Sequence, residues 1–166
     1  MVVNTTAPKK TPISLLNERY VLESGETEGL AGFVADLQHF WDRATNEDIR
    51  QLSQKLSESG RADMIHTGEE LKERATKKIL RFQTSRHAQD ILAWVLAELY
   101  GRFLLDVIPS IQTDADRVTI DALLGEKVIG PTLNDLEDNV LGLSRIDVMG
   151  LMYFLAGNCH IRWDKC

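Results

Sequence analysis

The stretch from Ile91 to Ile108 leaves this chain few options. It is apolar around most of a helical circumference, and its only charges, Glu98, Arg102 and Asp106, recur every four residues with alternating sign. At 3.6 residues per turn those three share one narrow stripe. A helix buried on all its other sides belongs at the centre of a bundle. It does not belong in a bilayer, whose centre does not suit such a ladder. Ser85 is placed to cap its start, near Arg86, and Pro109 is expected to end it, because proline has no amide hydrogen to donate.

The rest of the chain supplies helices to surround it. Leu30, Phe33, Val34, Leu37 and Trp41 form one apolar stripe on a helix expected from about Thr27 to Arg43. Thr45, with Asp48 three residues on, predicts a cap for a short helix to about Ser57 that buries Ile49, Leu52 and Leu56; Gly60 ends it. A further helix is expected from Ala62 to Phe82, with Leu71, Ala75, Ile79 and Phe82 on one side. Gly68 weakens its first half and moves its expected start toward Glu69. Asp114 to Leu124, capped by Thr113, and Leu133 to Leu141, after Gly130-Pro131, read as two shorter helices. Ser144 caps a last one, with Val148, Leu151, Met152 and Leu155 at i, i+3, i+4 and i+7 and Gly157-Asn158 as its stop. Only at the end do apolar and polar residues alternate: Cys159, Ile161 and Trp163 against His160, Arg162 and Asp164. The expectation is an all-α, compact bundle of about six or seven helices with a short extended C-terminal tail. Residues 1–12 form a disordered tail and residues 13–166 a single helical domain.

Length and composition agree. A chain of 166 residues is one domain by size and can bury a core without disulfides or metal. Its two cysteines, Cys159 and Cys166, form no spaced framework, which fits a reducing cytoplasm, and Met1 to Pro12 lacks the apolar segment of a signal peptide. The net charge of −6 argues against a protein that coats nucleic acid with its whole surface, yet permits a local basic patch.

Chemistry-bearing constellations are sparse. Cys159, His160 and Cys166 lie together, with His39, His66 and His87 elsewhere, but zinc sites use paired ligands and no such pair is present. The reading is therefore no metal and no cofactor; a small metal-dependent hydrolase on His160 and Cys159 is the least favoured alternative. Neither a G-x-S-x-G elbow nor a phosphate loop occurs, and Glu69-Glu70 and Glu137-Asp138 read as solvated carboxylates. Lys72, Arg74, Lys77, Lys78, Arg81 and Arg86 are concentrated within fifteen residues against Glu73 alone. On a helix Arg74, Lys77, Lys78 and Arg81 share a face, a row of donors for a phosphate backbone and, with Arg86, a candidate nucleic-acid site. The blander reading, favoured for so acidic a chain, leaves that face solvated, or pairs it with a protein partner or with the acidic stretch Asp114 to Asp138, where seven acids face two bases.

The tail carries the most specific signal. Asn158, His160, Arg162 and Trp163 are candidate partner-binding residues, since Trp and Arg are enriched in binding hot spots; Trp163 anchoring the chain end in its own core is an equal reading. The run Met152-Tyr153-Phe154-Leu155-Ala156-Gly157-Asn158-Cys159-His160-Ile161-Arg162-Trp163 resembles the end of the C-terminal helical domains of bacterial ABC-three-component conflict systems, relatives of Lamassu-type anti-phage systems. The Leu16-Asn17-Glu18-Arg19 start and the Trp41 helix are compatible with it. The resemblance implies a non-catalytic accessory subunit that joins an effector, such as a nuclease or protease, to an SMC/Rad50-like ATPase sensing foreign DNA. The chain opens at Met1 without an effector domain in front, so the expectation is a free-standing subunit or a fragment. No catalytic residue carries over.

Overall fold

The computed structural model describes residues 10–23, 33–46, 48–136 and 139–165. Among them all regular structure is helical. The helices are α1 (Pro12–Glu23), α2 (Ala35–Trp41), α3 (Leu52–Glu58), α4 (Ile65–Arg81), α5 (Arg86–Arg102), α6 (Ile108–Gln112), α7 (Arg117–Leu123), α8 (Gly130–Leu136) and α9 (Arg145–Gly157). A 3₁₀ turn, Ala62–Met64, leads into α4. Two π turns, Phe103–Val107 and Leu124–Ile129, join α5 to α6 and α7 to α8 without a break. Seven helical rods result.

α9 is the axis. Every residue from Gly150 to Ala156 is buried, as are Asp147 and Val148. Ser144 starts it with a capping box: its hydroxyl accepts the Asp147 amide at 3.4 Å while the Asp147 carboxylate accepts the Ser144 amide at 2.9 Å. α4 lies along α9 through Leu71, Ala75 and Ile79. The two backbones approach so closely that a Cβ on Gly150 would stand 2.6 Å from the Leu71 carbonyl oxygen. Gly68 does not delay α4. It sits mid-helix because a Cβ there would meet Leu56 and the Tyr153 ring at 3.0–3.2 Å.

α5 packs on the other side of α9, burying Ile91, Leu92, Val95, Leu96 and Leu99. Ser85 caps it as expected, accepting the Ala88 amide at 3.1 Å. Glu23, the last residue of α1, accepts hydrogen bonds from the Ser85 hydroxyl (2.6 Å) and the Arg86 and His87 amides (2.8 and 3.1 Å), so one helix end caps the start of another. The charged stripe is used: Arg102 bonds Glu98 at 3.1 Å and Asp135 on α8 at 2.6 Å.

Pro109 does not end the rod. The Ile108 amide reaches back five residues to the Phe103 carbonyl, so the turn widens before the proline ring arrives. The same device precedes Pro131, where the Gly130 amide bonds the Gly125 carbonyl. α8 consequently starts at Gly130, ahead of the expected Leu133; residues 137 and 138 lie outside the described residues.

Other expectations are corrected. α1 was no part of the expected helix set, because it buries only Ile13 fully and leaves Val21 and Leu22 exposed, so its apolar stripe is weak. The helix expected from Thr27 is described only as α2; Leu30 lies outside the described residues. The helix expected at Thr45 starts at Leu52, and Ile49 is 79 % exposed. Asp48 explains the delay. Its carboxylate accepts hydrogen bonds from the Arg50 amide (3.2 Å) and from Nε and Nη2 along one edge of the Arg50 guanidinium (3.0 Å each), local bonds that compete with helix formation. Asp116, not Thr113, caps α7, accepting the Thr119 amide at 2.7 Å. Thr113 instead donates its hydroxyl to the carbonyls of Pro109 and Ser110 at the end of α6.

Candidate interaction surfaces

The tail is built into the fold. Past α9, Cys159 takes a positive φ of 64° and reverses the chain. The alternation then holds: Cys159, Ile161 and Trp163 are buried, while His160, Arg162 and Asp164 are partly exposed. Asn158 donates to the carbonyls of Phe40 (3.1 Å) and Trp41 (3.0 Å), and its own carbonyl accepts the Ala44 amide at 2.8 Å. His160 Nε2 donates to the Asp42 carbonyl at 2.9 Å, and its ring packs among His39, Phe40 and Tyr100. Burial, with a smaller contribution from His39, pushes its pKa down. Trp163 is 6 % exposed, set edge-on to Phe103 and tilted against Tyr153, with the Arg61 guanidinium 5.6 Å above its ring. Trp163 is thus the inward anchor, not a projecting hot spot, and its indole N–H has no acceptor among the described residues. Arg162 lies 3.9 Å from Asp48.

Two charged side chains from outside the tail clamp it. Arg50 binds Asp164 through both terminal nitrogens (2.6 and 3.1 Å) and also takes Asp48 and Glu58. The Arg50 guanidinium holds the Asp48 carboxyl down at about 2. Lys55 is 1 % exposed, donates to the Ala156 carbonyl at 2.7 Å and stands 3.8 Å from Asp48. The last carbonyls of α9 thereby gain a buried cation, the sign a helix C-terminus favours. Sequence reasoning missed both. Arg50 and Asp164 lie 114 residues apart, and Lys55 follows the ordinary pattern of a solvated lysine between two buried leucines.

The basic face of α4 lines an open groove of about 600 Å³, with Arg74, Lys77, Lys78 and Arg81 on one wall and Ile146 and Asp147 on the other. Its charge is largely matched from within. Asp147 takes Arg74 and Lys78 at 3.0 Å each, and Glu73 takes Lys77 at 2.6 Å. The neutralising group is thus Asp147 on α9, not the Asp114–Asp138 stretch. Arg81 and Arg86 form no ion pair within the described residues; the Arg86 backbone is held by Glu23, away from the groove.

Cys159 and His160 do not converge on a common point. Cys159 Sγ lies against the Arg50 carbonyl at 3.9 Å, and the described residues contain no cluster of three His, Cys, Asp or Glu side chains able to hold a metal ion. No described helix is long and apolar enough to cross a membrane. Cys166 lies outside the described residues.

Residues 51–163, from the start of α3 to the buried tryptophan, match the family described as C-terminal domain 9 of the ABC-three component (ABC-3C) systems. No curated protein and no solved structure matches the chain. The matched span covers the whole α4–α9 core and the tail clamped against it, so the chain belongs to the family of ABC-3C C-terminal domains 9.

Proposed function

We propose that this domain is a non-catalytic assembly module of a bacterial anti-phage defence system, joining an effector, a nuclease or protease, to an SMC/Rad50-like ATPase in the cytoplasm. Membership of the ABC-3C family makes it a component of a multi-part conflict system. The observation that carries the finer reading is how the titratable groups are spent. Asp48, Arg50, Lys55, Asp147, Arg74 and Lys78 are each held by charged neighbours or backbone carbonyls of the same chain. Meanwhile large apolar side chains stand in solvent: Leu22, Ile49, Leu105 and Val118 are each 78–80 % exposed. Each is an apolar side chain that a partner component could cover.

The test is co-expression of the full chain with an SMC/Rad50-like ATPase and an effector of the same ABC-3C system, followed by size-exclusion chromatography with light scattering. A complex of fixed stoichiometry containing this chain is expected. A chain that elutes as a free monomer in the presence of both would sink the reading, as would turnover by the isolated polypeptide.

A further inference from the structure

A second, smaller cavity of about 240 Å³ lies where the 3₁₀ turn, the α7–α8 rod and the start of α9 meet. Its floor is apolar and soft: Met64, Met149, Met152 and the Trp163 ring. Methionine adapts its shape to what it contacts, and Trp and Arg are the residues that concentrate binding energy at interfaces. The rim is cationic, with Arg61, Arg117 and Arg145 against the single carboxylate of Asp121. Two of the three guanidiniums are already held. Arg61 binds Asp121 at 2.5 Å, and Arg117 binds Asp63 at 2.5 Å and Asp121 at 3.5 Å.

Arg145 is different. It is exposed, it forms no ion pair within the described residues, and it occupies the first position of α9. A cation there opposes the helix dipole, which favours negative charge at its N-terminus. Stability of the isolated fold gives no reason for it; a carboxylate brought from outside would.

We propose that this cavity is a socket for one large apolar side chain of a partner component, and that an acidic residue flanking that side chain pairs with Arg145. The proposal rests on the assembly reading above. The volume suits a single anchoring side chain and lies below the range of about 300–1,000 Å³ typical of small-molecule pockets. Trp163 then belongs to the receiving surface and not to the inserted one, and the Arg61 guanidinium stacked over it keeps the floor rigid.

Three of the four methionines line the socket, so ¹³C-methyl-methionine NMR on the full chain reports it directly. The probes are a short peptide with one leucine between glutamates, the same peptide with lysines for the glutamates, and a third with serine for the leucine. The glutamate–leucine peptide is expected to shift the Met64, Met149 and Met152 methyls and to bind at least tenfold more tightly than the other two. Gly125→Leu adds a bulky side chain at a position that lines the cavity and where an added Cβ meets nothing within 4 Å, and is designed to occupy the socket. It should abolish the shifts, and Arg145→Glu should reverse the preference for glutamate, both without loss of thermal stability. Equal binding of the glutamate and lysine peptides, no methyl shift at millimolar peptide, or undiminished binding by the Gly125→Leu protein would each overturn the socket. Assembly separates the two claims. If wild type and both variants join the ATPase and effector alike, the socket falls and the assembly reading stands. If the peptides behave as expected but wild type joins neither component, the assembly reading falls instead.

Discussion

Asp147 accepts four hydrogen bonds, from the Ser144 amide and hydroxyl, Arg74 and Lys78, and replacing it with asparagine isolates one physical quantity. Its side chain is almost fully buried. Burial alone would raise its pKa; the Ser144 amide, Lys78, Arg74 and the Ser144 hydroxyl reverse that and hold it at about 2, against 3.8 for the free group. A depression of that size is worth about 2 kcal/mol of folding stability, at roughly 1.4 kcal/mol per unit. The sign follows from the direction. A lowered folded-state pKa contributes stability that is present in full above the unfolded value near 4 and is lost as pH falls through about 2. At pH 3 about half should remain. Asp147→Asn keeps the shape but leaves Arg74 and Lys78 without their carboxylate. Urea unfolding at pH 7 should show a loss of about 2–3 kcal/mol, and melting should fall by roughly 5–10 °C for a chain of this length. Repeated at pH 3, the gap between wild type and variant should shrink to about half. A gap under about 0.5 kcal/mol at pH 7, or one unchanged by acid, would refute the account of Asp147 as a charged cap shared by two helices.

Three further perturbations test the packing and the surface. Lys55→Met keeps the apolar stem but leaves the buried Ala156 carbonyl without its donor and takes one of three cations from around Asp48; the cost should be about 2–4 kcal/mol by chemical unfolding, and a neutral result would mean the ammonium is dispensable. Gly150→Ala forces a Cβ against the Leu71 carbonyl and should cost about 2 kcal/mol or more, whereas Gly101→Ala on α5, where a Cβ meets nothing within 4 Å, should stabilise by about 0.5–1 kcal/mol; equal effects by thermal melting would refute the close crossing of α4 and α9. Because Asp147 and Glu73 already hold Arg74, Lys78 and Lys77, the isolated chain should bind duplex DNA no more tightly than about 10 µM at physiological salt. Submicromolar binding that falls steeply with salt and disappears in a Lys77→Glu/Arg81→Glu double variant would revive the nucleic-acid reading.

What the sequence determined by itself is the helical content and the buried faces of the long helices; it put the Ile91–Ile108 helix at the centre, a place the structure gives to α9. Apolar periodicity is a local property, so the buried faces of α4, α5 and α9 were legible from Leu71, Ile91 and Val148 onward, as were the Ser85 and Ser144 caps, whose partners lie three residues away. The alternation after Asn158 was legible too, but only the fold decided that Cys159, Ile161 and Trp163 are the side that turns inward. Tertiary structure decided everything that depends on residues far apart. Arg50 finds Asp164, Lys55 finds Ala156, and Arg74 and Lys78 find Asp147 only once the chain has folded, because no short-range pattern encodes a partner some 70 to 114 residues away. Local rules also gave way where competing bonds were stronger: Asp48 held Arg50 and postponed α3, and widened π turns carried two rods through Pro109 and Pro131. Periodicity shows which side of a helix avoids water, but only the assembled bundle determines which charges are left to meet a partner.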